Sequence, residues 1–133
     1  MKYLSELEKT MAQLSAKGKG ILAADESVPT ISKRLQAVGV ESTEETRRQY
    51  RELLLTTPQL GDYVAGVILF EETLTQADSE GTPFAKILED QGIVPGIKVD
   101  KGLVTLNQES EEKVTQGLDH LFVEFGIVFC FRA

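Results

Sequence analysis

The chain has 133 residues, 41% of them hydrophobic and 26% charged, with a formal net charge of −7. That acidity argues against nucleic acid or an anionic membrane as partner, because phosphate surfaces are bound by clusters of Lys and Arg, and Lys33-Arg34 and Arg47-Arg48 are too sparse for such a footprint. One cysteine, Cys130, excludes an internal disulfide, and the start MKYLSELEKT has neither the apolar core of a signal peptide nor the Arg-rich composition of a transit peptide, so a cytoplasmic location is expected.

In chain order, Ser5-Glu6-Leu7-Glu8 fits a capping box and starts a helix with Leu4, Leu7, Met11 and Leu14 on one face, ended by Gly18. A short apolar run, Ile21 to Ala24, then reads as a buried strand that ends in Asp25-Glu26-Ser27. Thr30 can cap a short helix that buries Ile31, Leu35 and Val38 and closes at Gly39. Ser42 with Glu45 repeats the capping-box signal before a helix through Tyr50, Leu53 and Leu54, which Pro58 stops. Val64 to Phe70 is a second strand ending in Glu71-Glu72-Thr73. Thr82-Pro83 opens another helix with Phe84, Ile87 and Leu88 at helical spacing, and Gln91-Gly92 closes it before a third strand, Val94 to Val99.

This alternation implies parallel strands joined by right-handed crossovers, hence an α/β fold. Each strand ends in ionisable groups, and in α/β sheets and barrels that edge is where chemistry is placed. Successive strand residues point to opposite faces, so Ile21, Ala23 and Asp25 share one face, as do Ile68, Phe70 and Glu72, and as do Gly96, Lys98 and Asp100. Ile97 and Val99 are expected under the crossover helices, which leaves Lys98 and Asp100 on the inner side.

The segment GKGILAADES, the following ISKRLQAVGVESTEETRRQYRELLLTT, then GVILFEETL, PGIKVDKG and TQGLD together resemble the N-terminal part of class I fructose-bisphosphate aldolase, from about Ser15 to Asp119 in nearly unbroken order. The resemblance implies a TIM (β/α)8 barrel as parent fold. Such a barrel takes about 250 residues, so residues 1–119 are expected to supply only its N-terminal part, about three strands. Residues 120–133 depart from the family as a divergent apolar tail, too short to span a bilayer. The implied activity is the reversible cleavage of fructose 1,6-bisphosphate to two triose phosphates through a lysine Schiff base, which serves as electron sink so that no metal or other cofactor is needed. The parent family is usually homo-oligomeric. Its Schiff-base lysine comes from a much later strand, so the chain by itself is expected to be truncated and inactive.

Residue by residue, the resemblance assigns Asp25 as an active-site aspartate near the cleaved bond, with Glu26 beside it. Ser27 and Thr30 are placed near the far phosphate, Arg34 and Arg47 in contact with the bisphosphate, and Lys98 in the site near the phosphate region. Each has a plainer reading from the residues alone. Asp25-Glu26-Ser27 can simply cap the next helix, Arg34 and Arg47 can be solvated helix charges, and Lys98 can be paired with Asp100 or Asp25 for structure. Glu72 fits a structural partner of Lys98 as well as a participant. A desolvated Lys98 could also form a Schiff base itself, which would make this a small complete enzyme. Gly18-Lys19-Gly20 lacks P-loop spacing, the single histidine His120 offers no metal-ligand set, and Cys130 has no base at readable spacing. The alternative from another class is a non-catalytic phosphate-binding or interaction fragment.

Overall fold

In the computed structural model, residues 4–107 and 111–117 are described. The chain divides into two compact units, Met1–Ile97 and Lys98–Ala133. The first is built on a parallel three-stranded sheet of order β1-β2-β3, with β1 at Gly20–Ala24, β2 at Val64–Leu69 and β3 at Val94–Ile97. Helices α2 (Val28–Ala37) and α3 (Glu44–Leu55) and the short α4 (Leu60–Tyr63) connect β1 to β2. The short α5 (Glu71–Leu74) and α6 (Phe84–Asp90) connect β2 to β3. The second unit contains an antiparallel pair, β4 (Leu103–Thr105) with β5 (Lys113–Thr115), which the sequence patterning does not announce.

The pleat sorts the side chains of the sheet. Ala24, Val67 and Leu69 point toward the helices and form the core with Leu55 of α3, Leu74 of α5, Phe84 and Leu88 of α6, and Ile93. Phe84, Leu88, Leu55 and Leu69 are fully buried, and each such side chain contributes about 1.5–3 kcal/mol relative to exposure. Ile97 packs at the edge of this cluster, as expected, next to Leu69 in register. The opposite face carries Ile21, Ala23, Ile68 and Gly96, and it is open: Ile21 is 56% exposed. Leu14 at the end of α1 (Leu4–Leu14) reaches Gly66 on that face, where only a missing Cβ leaves room for it. The rest of the α1 apolar stripe, Leu4, Leu7 and Met11, is exposed.

Several boundaries differ from the sequence expectation, each for a local reason. The first helix already includes Leu4, so Ser5 lies inside it rather than at its cap. Ser27, not Thr30, is the N-cap of α2, because Pro29 takes a first-turn position that needs no N–H donor and draws the helix start forward. In α3 the capping box is Thr43 with Thr46, one residue later than Ser42 with Glu45. Thr46 N donates to Thr43 Oγ1 at 3.1 Å and Thr43 N donates to Thr46 Oγ1 at 2.8 Å. Pro83 is the N-cap of α6 rather than its first helical residue, and β3 ends at Ile97, two residues short of Val99. Gly39 does close α2 at a φ of 74°, with Val40 N bonded to Leu35 O at 2.9 Å. The expected boundary at Asp119 and the apolar tail with His120 and Cys130 lie outside the described residues.

Candidate active site

β1 runs from the solvent-facing Gly20 to the fully buried Ala24 and stops there; the next three residues, Asp25, Glu26 and Ser27, turn the chain into α2. Glu26 is the anchored member of this turn. Its side chain is 10% exposed and is paired with Arg51, 4% exposed, and with Arg34, 57% exposed. The Tyr50 hydroxyl donates to Glu26 Oε1 at 3.3 Å, and Arg51 Nη2 donates to the main-chain oxygen of Glu26 at 3.0 Å. The Arg51 guanidinium carbon also lies 5.3 Å from the centroid of the Tyr50 ring, within the range of a cation–π contact. Burial pushes the Glu26 carboxyl up, but the hydrogen bond from Arg51 and the charges of Arg51 and Arg34 outweigh it, and the group is held below its ordinary value.

A second pair lies at the end of β2. Arg47 Nε donates to Glu72 Oε2 at 2.9 Å and Arg47 Nη2 to Glu72 Oε1 at 2.5 Å, a two-pronged contact of guanidinium with carboxylate. Arg47 Nη1 reaches Ser42 Oγ at 3.5 Å, and Ser42 in turn accepts from Ser32 at 2.7 Å. Glu72 is thus the partner of Arg47. Lys98 belongs to the second unit and is ion-paired with Asp100. That bond from Lys98 holds the Asp100 carboxyl below its ordinary value against a smaller effect of burial, with help from the Gly102 N–H.

The residues singled out from the sequence are therefore placed as follows. Asp25 is half-buried, and its carboxylate forms no hydrogen bond or ion pair among the described residues. Ser27 Oγ and Thr30 Oγ1 stand 3.2 Å apart at the start of α2. Arg34 is drawn to Glu26 and Arg47 to Glu72, so neither is a bare solvated charge. Asp25 and Ser27 lie on the turn after β1, Thr30 in the first turn of α2 and Arg34 in its last turn, from where it reaches back to Glu26. Among the described residues no group of three or more His, Cys, Asp or Glu is placed to hold a metal ion, and no helix is long and apolar enough to cross a membrane.

Sequence reasoning missed Arg51. The signal was present: Arg47, Arg51 and Leu55 recur at intervals of four and so lie along one stripe of α3. An arginine four residues before an apolar residue on the core-facing stripe of a helix is a candidate for burial, and a buried guanidinium requires a carboxylate.

Comparison with known proteins decides the family. The model for fructose-bisphosphate aldolase class-I matches residues 6–125. The chain belongs to the class I fructose-bisphosphate aldolase family. Among curated aldolases, a probable class 1 enzyme of Xanthomonas campestris is 56% identical over 118 residues, covering 89% of this chain and 35% of the relative. The fructose-bisphosphate aldolase of Drosophila melanogaster is 57% identical over 117 residues, covering 87% of this chain and 32% of the relative. A solved aldolase from Plasmodium falciparum, in complex with TRAP and a small-molecule inhibitor, superposes with a TM-score of 0.84 at 51% identity, covering 90% of this chain and 35% of that one. The chain thus spans about a third of the length of the aldolases it matches.

Proposed function

We propose that the chain forms the first strands of a class I aldolase TIM barrel, whose complete form cleaves fructose 1,6-bisphosphate reversibly to glycerone phosphate and glyceraldehyde 3-phosphate. The observation that carries this reading is the position of Asp25: a carboxylate with no side-chain partner among the described residues, at the C-terminal end of a parallel strand, beside a glutamate fixed by Arg51 and Arg34. In the reaction, a lysine amine condenses with the ketose carbonyl and loses water. Removal of the C4 hydroxyl proton then breaks the C3–C4 bond, and its electron pair moves into the protonated imine. Asp25 contributes a charge next to that bond.

In this reading the Schiff-base lysine stands on a later strand of the parent fold, outside the 133 residues, and Lys98 is a cation directed at phosphate. Ser27 and Thr30 contribute hydroxyls at the start of α2. Arg34 and Arg47 exchange a carboxylate for a phosphate oxygen when substrate enters, since the guanidinium fork suits either anion. The parent protein is then a cytoplasmic homo-oligomer that needs no metal and takes a sugar bisphosphate, not nucleic acid, as partner.

The test is a coupled assay of the chain alone with fructose 1,6-bisphosphate, together with borohydride trapping. The expected result is negligible turnover and no trapped adduct on Lys98. Turnover of about 1 per second or more, typical of enzymes, sinks the reading. A borohydride adduct on Lys98 moves the assignment to a small enzyme that uses Lys98 itself.

A further inference from the structure

We propose that Arg51 is a positioning residue that aims the Asp25 carboxylate by clamping the neighbouring peptide between Glu26 and Ser27. The proposal deepens the aldolase reading and rests on it for what Asp25 does, but not for how Asp25 is held.

The argument starts from what Asp25 lacks. With no hydrogen bond or ion pair to its own carboxylate among the described residues, its direction is set by the backbone and by local sterics. The backbone on its N-terminal side is fixed by β1, where Ala24 pairs with Leu69. On its C-terminal side the first polar anchor is Glu26, and Arg51 holds that residue twice, at the carboxylate through Nη1 and at the main-chain oxygen through Nη2 at 3.0 Å. A bond to the carboxylate alone would fix a side chain and leave the peptide free to rotate. A bond to the carbonyl as well ties the peptide plane between Glu26 and Ser27 to α3.

Arg51 can do this because it is itself rigid: buried, stacked near Tyr50, and on the same helix stripe as the fully buried Leu55. The planar fork presents its donors in one fixed geometry, which an ammonium on a flexible stem does not. If Arg51 served only to neutralise Glu26, a lysine would serve almost as well, and the order of Asp25 would not depend on which cation stood there.

The experiment is NMR on the 133-residue chain with labelled aspartate, reading the χ1 scalar couplings of Asp25, with amide dispersion as the measure of folding. In the unaltered chain the couplings should be those of one staggered rotamer. In Arg51→Lys, with dispersion retained, they should move to an average over several rotamers. In Glu26→Gln, which keeps the main-chain bond, they should stay close to the unaltered values. Leu88→Ala, which loosens the core away from the turn, should also leave them unchanged.

Arg51→Lys with Asp25 still in one rotamer overturns the proposal. Should Arg51→Lys fail to fold, the unaltered chain still decides: couplings already averaged there overturn the proposal without any variant, and a single rotamer lost in Glu26→Gln but kept in Leu88→Ala overturns the main-chain clamp. No substrate enters these measurements, so their failure leaves the aldolase reading standing, and turnover or adduct formation by the chain alone leaves the clamp standing.

Discussion

Asp25 and Lys98 carry opposite charges and, in the proposed site, opposite duties, which kinetics can separate. In the polypeptide continued to the length of its relatives, Asp25→Asn should lower kcat by on the order of 100-fold or more with little change in KM, because it removes a charge used in the chemical step. Lys98→Met should chiefly raise KM for the bisphosphate, because it deletes a phosphate-directed cation; the reverse pattern in steady-state rates means their roles are exchanged. Glu26 makes a third residue prediction, through pH. Its folded-state carboxyl lies below the ordinary value, so its contribution to stability is fully present above about pH 4.3 and is lost as pH falls through the lowered folded value. Thermal midpoints of the unaltered chain and of Glu26→Gln should therefore differ at pH 7 and converge toward pH 2, and parallel curves would mean that Glu26 is not held by Arg51 and Arg34. At this scale the sequence was informative about where Asp25 and Ser27 stand, directly after a strand end. It was silent on the partners of Arg34 and Arg47, since pairing with Glu26 and Glu72 spans α2 and α3 and depends on how the helices lie on the sheet.

Among the elements, the long periodic segments were legible and the short ones were not. Helices α2, α3 and α6 and all three parallel strands exist in the order and near the positions that apolar spacing and glycine indicate, while their ends shift by one to three residues. The four-residue helices α4 and α5 were not foreseen, because one turn is too short to show a period. The β4–β5 pair was not foreseen because its two strands of three residues each are exposed throughout, and no buried face marks them. The unforeseen α4 has its own consequence. Gly61 within it lies so close to α6 that an added Cβ would meet the main-chain oxygen and carbon of Gln91, atoms that cannot swing aside as a side chain does. Gln91 is also tied to α3, since its Nε2 donates to Leu55 O at 2.9 Å. Gly61→Ala should therefore cost about 1–3 kcal/mol in a denaturant titration, as overpacking does. Gly20→Ala, where a Cβ meets nothing within 4 Å, should stay within about 0.5 kcal/mol. Equal effects at the two positions would show that α4 does not rest on the end of α6.

For the first unit, the consequence of a three-stranded sheet with α3 and α6 packed on one side is an opposite face that the described residues cover only in part, through α1. The side packed on α3 and α6 buries Val67, Leu69, Phe84 and Leu88, whereas the other side leaves Ile21 more than half exposed, with Leu14 of α1 meeting Gly66. A sheet face that does not gain from burial adds little to a margin of about 5–15 kcal/mol, while it offers apolar surface to anything that meets it. Among the described residues the outer edges of β1 and β3 have no partner strand, which adds main-chain donors and acceptors beside that surface. The chain should therefore bind a hydrophobic dye under native conditions and associate as its concentration rises. Ile21→Ser separates this from loose packing: it removes apolar surface that folding does not bury, so dye fluorescence and association should fall while the thermal midpoint holds. Leu69→Ala on the buried side of the neighbouring strand should do the opposite, lowering the midpoint by the equivalent of about 2–5 kcal/mol and raising dye binding. A loss of stability in Ile21→Ser as large as that in Leu69→Ala would show that the face around Ile21 is covered in solution, and the open-sheet account would then fail.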